Sequence, residues 1–497
     1  MQKRQILLVE PPFHRLYKDT MSFPRYPLSL GYLTAAVKEG TDWEAVAYNA
    51  DFSPISEPWS ITYMAGAGYQ SYLRNLVSAT GKVWQEVRQV IEMHRPQVVG
   101  ISTKSANFPC VRMVAGIAKE SDPRTVVIVG GPHPSTVGTE VLRCPDIDIG
   151  VRGEGERTLV ELLQAIGRQA SLDGIPGVVF RKNGAFIENP PRPVIKDLDS
   201  LSFPHAHARE VLTDFAAYPL DAFSSIFSTR GCPFNCFFCG SRYVWGRHVR
   251  HRSVENVLRE INALRSLGIR EIHFEDDTFG VSRERIRSLC SALAKDCPGL
   301  RWSCEMHVNL VDDAIIQQMR TSGCFMIRLG IESGSDQILK AMRKGFTIEK
   351  ALAAARSIKN HGITLFSFFM IGFPQETEET IRDTMRAIEQ TDSDSVIYSI
   401  FTPYPGTEAF EYCRLTGMID ETFDVSLYNH QSPANHFSLG LSRERFRELA
   451  GQVERTIHRR NFRNRIKRIF SGRTLVRLRE LGLRQSVRRF VAFLRSA

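Results

Sequence analysis

No apolar run in this chain approaches the roughly 20 residues that a transmembrane helix needs. The strongest, ITLFSFFMIGFP at 363–374, stops at a proline. The N-terminal stretch QKRQILLVEPP has a charged start but only four apolar residues before Glu10. That is too short for a signal-peptide core. Cysteine is sparse, with 10 in 497 residues, and no second Cys-x-x-Cys pair completes a four-thiolate zinc site. Such usage suits a reducing compartment better than a disulfide framework. Repeats and low-complexity tracts are missing as well. These absences point to a cytoplasmic globular protein, and its length suffices for two or three domains.

Charge is present but unevenly placed. From Gly451 to Ala497 there are 14 basic and two acidic residues, a net of +12, so residues 1–450 carry −2 of the chain's +10. A near-neutral body therefore precedes a basic tail. In FRNRIKRIFSGRTLVRLRELGLRQSVRRFVAFLRS arginine alternates with Ile, Phe, Leu and Val at rough helical spacing. Such a helix can lie on an anionic membrane surface or cap a domain with a solvated face. Arg-rich helices also bind RNA, the least favoured of the three readings.

The N-terminal part alternates strand and helix. Strands are expected at 5–9, in WEAVAY, at 98–103, at 125–131 and in IDIGV, with helices between them and one long helical segment around 70–94. Apolar strands in that order imply a doubly wound parallel sheet, Rossmann-like, whose ligands bind at the strands' carboxyl ends. Those ends carry Ser102 and Thr103, then Gly130, Gly131 and His133, then Gly153 and Glu154. The stretch 171–220 holds a small hairpin and a proline-rich strap. From 225 a second series begins, with strands expected at 225–229, 271–276, 301–306, 326–332, 363–372 and 395–401. Helical patterns separate them; Val254, Val257, Leu258, Ile261, Leu264 and Leu267 form one amphipathic face. Six βα units imply a (βα)6 partial barrel with its chemistry at the carboxyl ends of the strands. The expected division is 1–170, a strap at 171–220, a barrel at 221–430 and a basic helical extension at 431–497.

The loop after the first barrel strand, STRGCPFNCFFCG, places Cys232, Cys236 and Cys239 at Cys-x3-Cys-x2-Cys spacing, with Phe238 before the last. Three thiolates within eight residues can hold one 4Fe–4S cluster and leave one iron open. The alternatives are a structural zinc site or inert cysteines. Cys290, Cys297, Cys304, Cys324 and Cys413 have no ligand spacing and read as small buried hydrophobes.

This spacing resembles the signature of the radical S-adenosylmethionine (SAM) superfamily, and the resemblance runs on through FEDDTF, GIESGSDQILKAMRKG, GFPQET and TPYPGTEAF, in order, over about 200 residues. It implies that the open iron chelates SAM. It nominates Asp276 and Asp277 for the SAM amino group, Glu332 and Ser333 for the ribose and carboxylate, and Gly372 for the adenine. Helix capping is the plainer reading of the Asp pair and of Glu332–Ser333. The N-terminal motifs ILLVEPP, YPLSLGYL, VVGIST, VIVGGPHPS and GVRGEGERTLVEL resemble those of cobalamin-binding members. Ser102, Thr103 and the Gly130–Gly131 turn would then meet the nucleotide tail. The Asp-x-His-x-x-Gly motif is absent, and YNADFSPIS, read as its counterpart, has no histidine. The expected cobalt is therefore not held by a histidine there, and His133 is a tail contact rather than a ligand.

The resemblance implies an enzyme with three cofactors: a 4Fe–4S cluster, SAM and cobalamin. The expected activity is a methyltransferase acting on an unactivated centre through a 5′-deoxyadenosyl radical and methylcobalamin. A radical cyclase of the anaerobic porphyrin-ring type is the alternative, and a cobalamin- or redox-sensing protein is the non-enzymatic one. A second N-terminal cluster of the methylthiotransferase type needs three cysteines, and only Cys110 and Cys144 precede the motif. The expected partners are a small-molecule or lipid-like substrate, an electron donor such as flavodoxin or ferredoxin, and a membrane surface touched by the tail.

Overall fold

The computed structural model describes residues 3–57, 63–64, 66–428, 431–432 and 435–469. The part of the basic tail beyond Ile469 lies outside the described residues. The chain divides into two compact units, 1–57 with 67–277 and 403–428, and 58–66 with 278–402 and 429–497.

In the first unit β1 (Gln5–Glu10), β2 (Glu44–Asn49), β3 (Val98–Ser102), β4 (Val126–Gly130) and β5 (Ile149–Val151) pair in parallel in the order β2-β1-β3-β4-β5. Their apolar runs are buried almost without interruption, as helix cover on both faces requires. The helical segment expected around 70–94 is two helices, Ala67–Val77 and Lys82–His94. They part at a turn where Gly81 N–H donates to Ser78 O at 2.9 Å. The hairpin expected in the strap is β6 (Val178–Lys182) and β7 (Ala185–Glu188), and it extends the same sheet antiparallel to β5.

The strand expected at 225–229 is split. β8 (Ser225–Ile226) pairs in parallel with β11 (Glu271–Phe274), whereas β9 (Thr229–Arg230) pairs antiparallel with β10 (Arg250–His251). The kink has two causes. Arg252 Nη1 donates to Phe227 O at 2.7 Å, and Asp276 draws in the N–H groups of Ser228 and Thr229. On the helix Val254–Ser266, Val257, Ile261 and Leu264 are buried as expected. Leu267 lies past the last turn and is 63% exposed. Residues 403–428 return to this unit: Gly406 sits so close to Thr136 that a Cβ there would lie 2.7 Å from the threonine Cβ.

The second unit holds β12 (Arg301–Met306), β13 (Cys324–Glu332), β14 (Thr364–Ile371) and β15 (Ser395–Ile400), paired in parallel in chain order. The burial of β14 and β15 alternates strictly. One face packs under helices, and the other, with Phe366, Phe368, Met370 and Ile397, is half-exposed. The helix Arg443–Ile469 buries Phe446, Leu449, Ala450, Val453 and Ile457, and its Asn461 pairs both backbone groups of Val396 at 2.9 Å. The first part of the basic extension is therefore a packed cap over β15. Among the described residues no helix is long and apolar enough to cross a membrane.

Candidate functional site

In the first unit the cysteine loop leaves β9 through Gly231, at φ +100°. A Cβ there would stand 2.6 Å from His248 O, so the turn admits no other residue. Cys232 and Cys236 are half-buried and Cys239 is exposed, with Cys239 N–H donating to Cys236 O at 3.2 Å. The Cys232 thiol is raised to about 11, chiefly by burial and also by the neighbouring Asp277, Cys239 and Cys236, against a backbone hydrogen bond from Phe234. Amide contact with a cysteine sulfur is how proteins tune cluster ligands, and the three thiols lie close enough to feel one another. Among the described residues no three His, Cys, Asp or Glu side chains close round a single ion; a cubane cluster spreads its thiolates wider than one ion does. The loop thus fits a cluster.

Its flanks are pinned. Arg242 Nη1 donates to Asn235 Oδ1 at 3.1 Å and to Glu408 Oε1 at 2.8 Å. Phe237 O accepts from Ala409 N–H at 3.2 Å. Phe238 is half-buried. Asp276 is buried and accepts from Ser228 N–H at 2.7 Å, Ser228 Oγ–H at 2.6 Å and Thr229 N–H at 3.0 Å. Its carboxylate shapes the turn that launches the loop. Burial raises its pKa, against those hydrogen bonds. Asp277 accepts from Ser241 Oγ–H at 2.8 Å.

The residues at the carboxyl ends of β3, β4 and β5 come together. Thr103 N–H donates to Gly130 O at 2.7 Å, and His133 N–H to Thr103 O at 3.2 Å. Ser135 Oγ–H donates to Gly131 O at 2.7 Å and accepts from Gly153 N–H at 2.9 Å. Ser102, next to Thr103 at the end of β3, is half-buried. Gly131 has φ +116°, and a Cβ there would lie 2.9 Å from Thr103 O. Gly153 has φ +74° and open space where its Cβ would be. The open space at Gly153, beside the tight Gly130–Gly131 turn, forms a lip that fits a nucleotide tail. His133 is buried, its Nδ1 3.0 Å from Ser105 Oγ and its ring 4.4 Å from Phe108. Burial lowers its pKa to about 4, so the imidazole is neutral at pH 7. Glu154 stands apart from this lip: Arg230, Arg250 and the Ile195 N–H occupy its oxygens.

Sequence reasoning missed a second histidine. His14 lies on the loop after β1, with Nδ1 2.6 Å from Asp51 Oδ2. A carboxylate-held imidazole is a common way to present the other nitrogen to a metal. Its signal in the sequence is the histidine of EPPFHRL, directly after the first apolar strand.

In the second unit Glu332 and Gly372 close the adjacent strands β13 and β14 at φ +71° and +82°. A positive φ is rare for glutamate and marks a held conformation. Lys344, itself buried, reaches Glu332 Oε1 at 3.2 Å. Ser333 is fully buried with its hydroxyl 3.2 Å from Thr384 Oγ1, so it holds the turn rather than facing a cavity. Gly372 and Phe373 N–H groups both donate to Glu376 Oε2, the latter at 3.1 Å, while Oε1 has no partner among the described residues. Burial raises the Glu376 pKa to about 8.

That shift has a measurable consequence. The folded pKa of Glu376 lies above its ordinary value of 4.5. The group therefore stabilises the fold below pH 4.5 and loses that contribution as pH rises through 8. Thermal melts should show this contribution declining from about pH 4.5 to about pH 8 and level above that. Glu376→Gln keeps the acceptor oxygen and should flatten that decline; parallel slopes would refute the assignment.

Residues 226–388 match the radical SAM superfamily and residues 26–163 the B12 binding domain. An uncharacterized methyltransferase of Pyrococcus horikoshii is 32% identical over 84% of this chain and 85% of its own length. The anaerobic magnesium-protoporphyrin IX monomethyl ester cyclase of Rubrivivax gelatinosus is 28% identical over 78% of this chain and 71% of its own. Among solved structures, the radical SAM methyltransferase TsrM of Kitasatospora setae superposes with a TM-score of 0.69 at 19% identity, over 92% of this chain and 89% of that one. The chain belongs to the radical SAM superfamily, in the branch that carries a B12-binding domain. Its cofactors are those of that class: a 4Fe–4S cluster, SAM and cobalamin.

Proposed function

We propose that this chain is a cobalamin-dependent radical SAM methyltransferase. The observation that carries the reading is the presence, in one compact unit, of a three-cysteine loop and a glycine-lined lip at the carboxyl ends of a parallel sheet. When bound, the cluster supplies the electron that cleaves SAM, and cobalamin supplies the methyl group. Cys232, Cys236 and Cys239 hold the cluster, with Phe238 beside them. Ser102, Thr103, Gly130, Gly131, His133 and Gly153 seat the nucleotide tail. The resemblance nominates Glu332 for the SAM ribose, Gly372 for its adenine and Asp277 for its amino group. Asp276, Ser333 and Glu154 act one step back by shaping the turns. In this reading residues 1–170 carry cobalamin, 171–220 form the strap, 221–430 carry the cluster and SAM, and 431–497 are the basic C-terminal extension.

The half-exposed apolar face of β14 and β15 supports a hydrophobic or lipid-like small-molecule substrate, with a flavodoxin or ferredoxin as electron donor in the cytoplasm. Anaerobic turnover tests the class. A methyltransferase forms 5′-deoxyadenosine and S-adenosylhomocysteine together. The similarity to a cyclase supports a second reading, which predicts 5′-deoxyadenosine alone. Reduced protein that forms neither product refutes both. Bound cob(II)alamin should show no histidine nitrogen splitting in paramagnetic resonance. Splitting would make His14 or His133 a ligand, and His14→Phe would tell which.

The basic extension reads as a contact for an anionic membrane surface. On the helix Arg443–Ile469, Arg455, Arg459, Phe462, Arg463 and Ile466 are exposed along one side. Each basic residue near such a surface is worth about 1 kcal/mol. The intact protein should co-sediment with phosphatidylserine vesicles, less so as salt rises. Phe462→Glu with Ile466→Glu should weaken that binding, and indifference of the intact protein to vesicles would end the suggestion.

A further inference from the structure

Four charged side chains are buried together in the first unit. Arg230, two residues before Cys232, donates from Nη1 to Glu154 Oε1 at 2.7 Å and from Nη2 to Glu156 Oε1 at 2.6 Å. Arg250, its neighbour across β9 and β10, donates from Nη1 to both oxygens of Glu154 at 2.9 and 2.8 Å and to Ile195 O at 2.6 Å. Ile195 N–H returns a bond to Glu154 Oε2 at 2.7 Å. The Arg230 guanidinium also lies over the rings of Tyr32, at 5.0 Å, and Trp245, at 4.8 Å. All four charged side chains are 2–7% exposed, and their charges cancel.

Desolvating four charges is costly, and pairing must offset that cost. Apolar side chains of similar volume would stabilise the fold at least as well, so the network's distinctive property is its directionality. The planar fork of Arg230 meets two carboxylates at once, which the single ammonium of lysine cannot do with the same geometry. The location gives that directionality a use. One end is the strand that launches the cysteine loop. The other is the turn Gly153–Glu156 after β5, whose first residue belongs to the glycine-lined lip.

We infer that Arg230, with Glu154, Glu156 and Arg250, is a positioning set that fixes the cluster loop against the cobalamin face at one separation. This rests on the reading that the chain binds both groups. The set touches neither; it acts by holding two loops that do. Small misplacements of reacting groups carry large penalties, as much as about 10²-fold in rate for 1 Å, which is reason enough for so costly a joint.

Paramagnetic resonance on the full-length protein, loaded with cluster and hydroxocobalamin and then reduced, tests this without a substrate. In the intact protein, reducing the cluster should speed relaxation of the cob(II)alamin signal, read from microwave-power saturation. Arg230→Gln carrying both groups at full occupancy should lose most of that enhancement, and Arg230→Lys should recover part of it. A merely structural role would lower the melting temperature or the loading and leave the coupling per loaded molecule unchanged; that result overturns the inference. If Arg230→Gln does not load, Glu154→Leu, which removes the carboxylate shared by Arg230 and Arg250, carries the measurement, and unchanged coupling there is equally fatal. Intact protein that binds both groups without any coupling overturns the inference alone. Intact protein that binds no cobalamin overturns it together with the functional reading.

Discussion

Cys236→Ala should yield a folded protein that binds cobalamin, carries no 4Fe–4S cluster and forms no 5′-deoxyadenosine from SAM. The residue lies in the middle of the three-thiol loop, and two thiolates cannot replace three. Nothing in the first unit's core depends on it, since the side chain is only half-buried. The loop's shape is set elsewhere, by Asp276 before it and by Arg242 and Ala409 around it. Iron and sulfide analysis, absorbance and product chromatography after anaerobic reconstitution are the measurements. Cys232→Ala and Cys239→Ala should behave alike. A variant that retained full iron and turnover would remove the cluster assignment, and with it the functional reading.

Gly131→Val should produce the opposite separation: cluster retained, cobalamin lost. At φ +116° a branched residue is strained by roughly 1–3 kcal/mol. Its Cβ would also meet Thr103 O at 2.9 Å and Thr103 N at 3.3 Å, both backbone atoms that cannot swing aside. The displaced Thr103 bonds to Gly130 and His133, so the whole lip would move. Hydroxocobalamin titration should show binding weakened beyond measurement, with iron content and the cluster's response to SAM preserved. Tight cobalamin binding by this variant would mean that the tail lies elsewhere. Together the two substitutions would assign each cofactor to its own loop.

Much of this was legible in the sequence because the signals are local. The cysteine spacing lies within eight residues, the Gly130–Gly131 turn follows directly on an apolar strand, and the strands at 363–372 and 395–401 announce themselves by Val, Ile and Phe. Asp276 was legible as a residue but not as a role. Its three donors come from 47 and 48 residues away, at a turn that splits the expected strand 225–229. Glu154 was nominated for a ligand, yet it faces Arg230, 76 residues on, and Arg250, 96 residues on. Pairings of that range leave no periodic trace in a chain. Glu376 and Lys344 escaped for a related reason. Each sits beside a residue with a plainer motif role, and only burial and, among the described residues, the unpaired Oε1 of Glu376 set them apart.

The return of residues 403–428 to the first unit bears on how the chain must be made. That unit begins at the N-terminus, yet its last piece is synthesised only after the whole stretch 278–402 of the second unit has emerged. The seat of Gly406 against Thr136 joins positions 270 residues apart. Contacts of such long range form late and slowly. A nascent chain holding only the first 277 residues would therefore lack the helix Glu408–Leu415, whose Ala409 and Glu408 steady the cysteine loop. Fragments cut at residue 277 are therefore expected to aggregate when expressed alone.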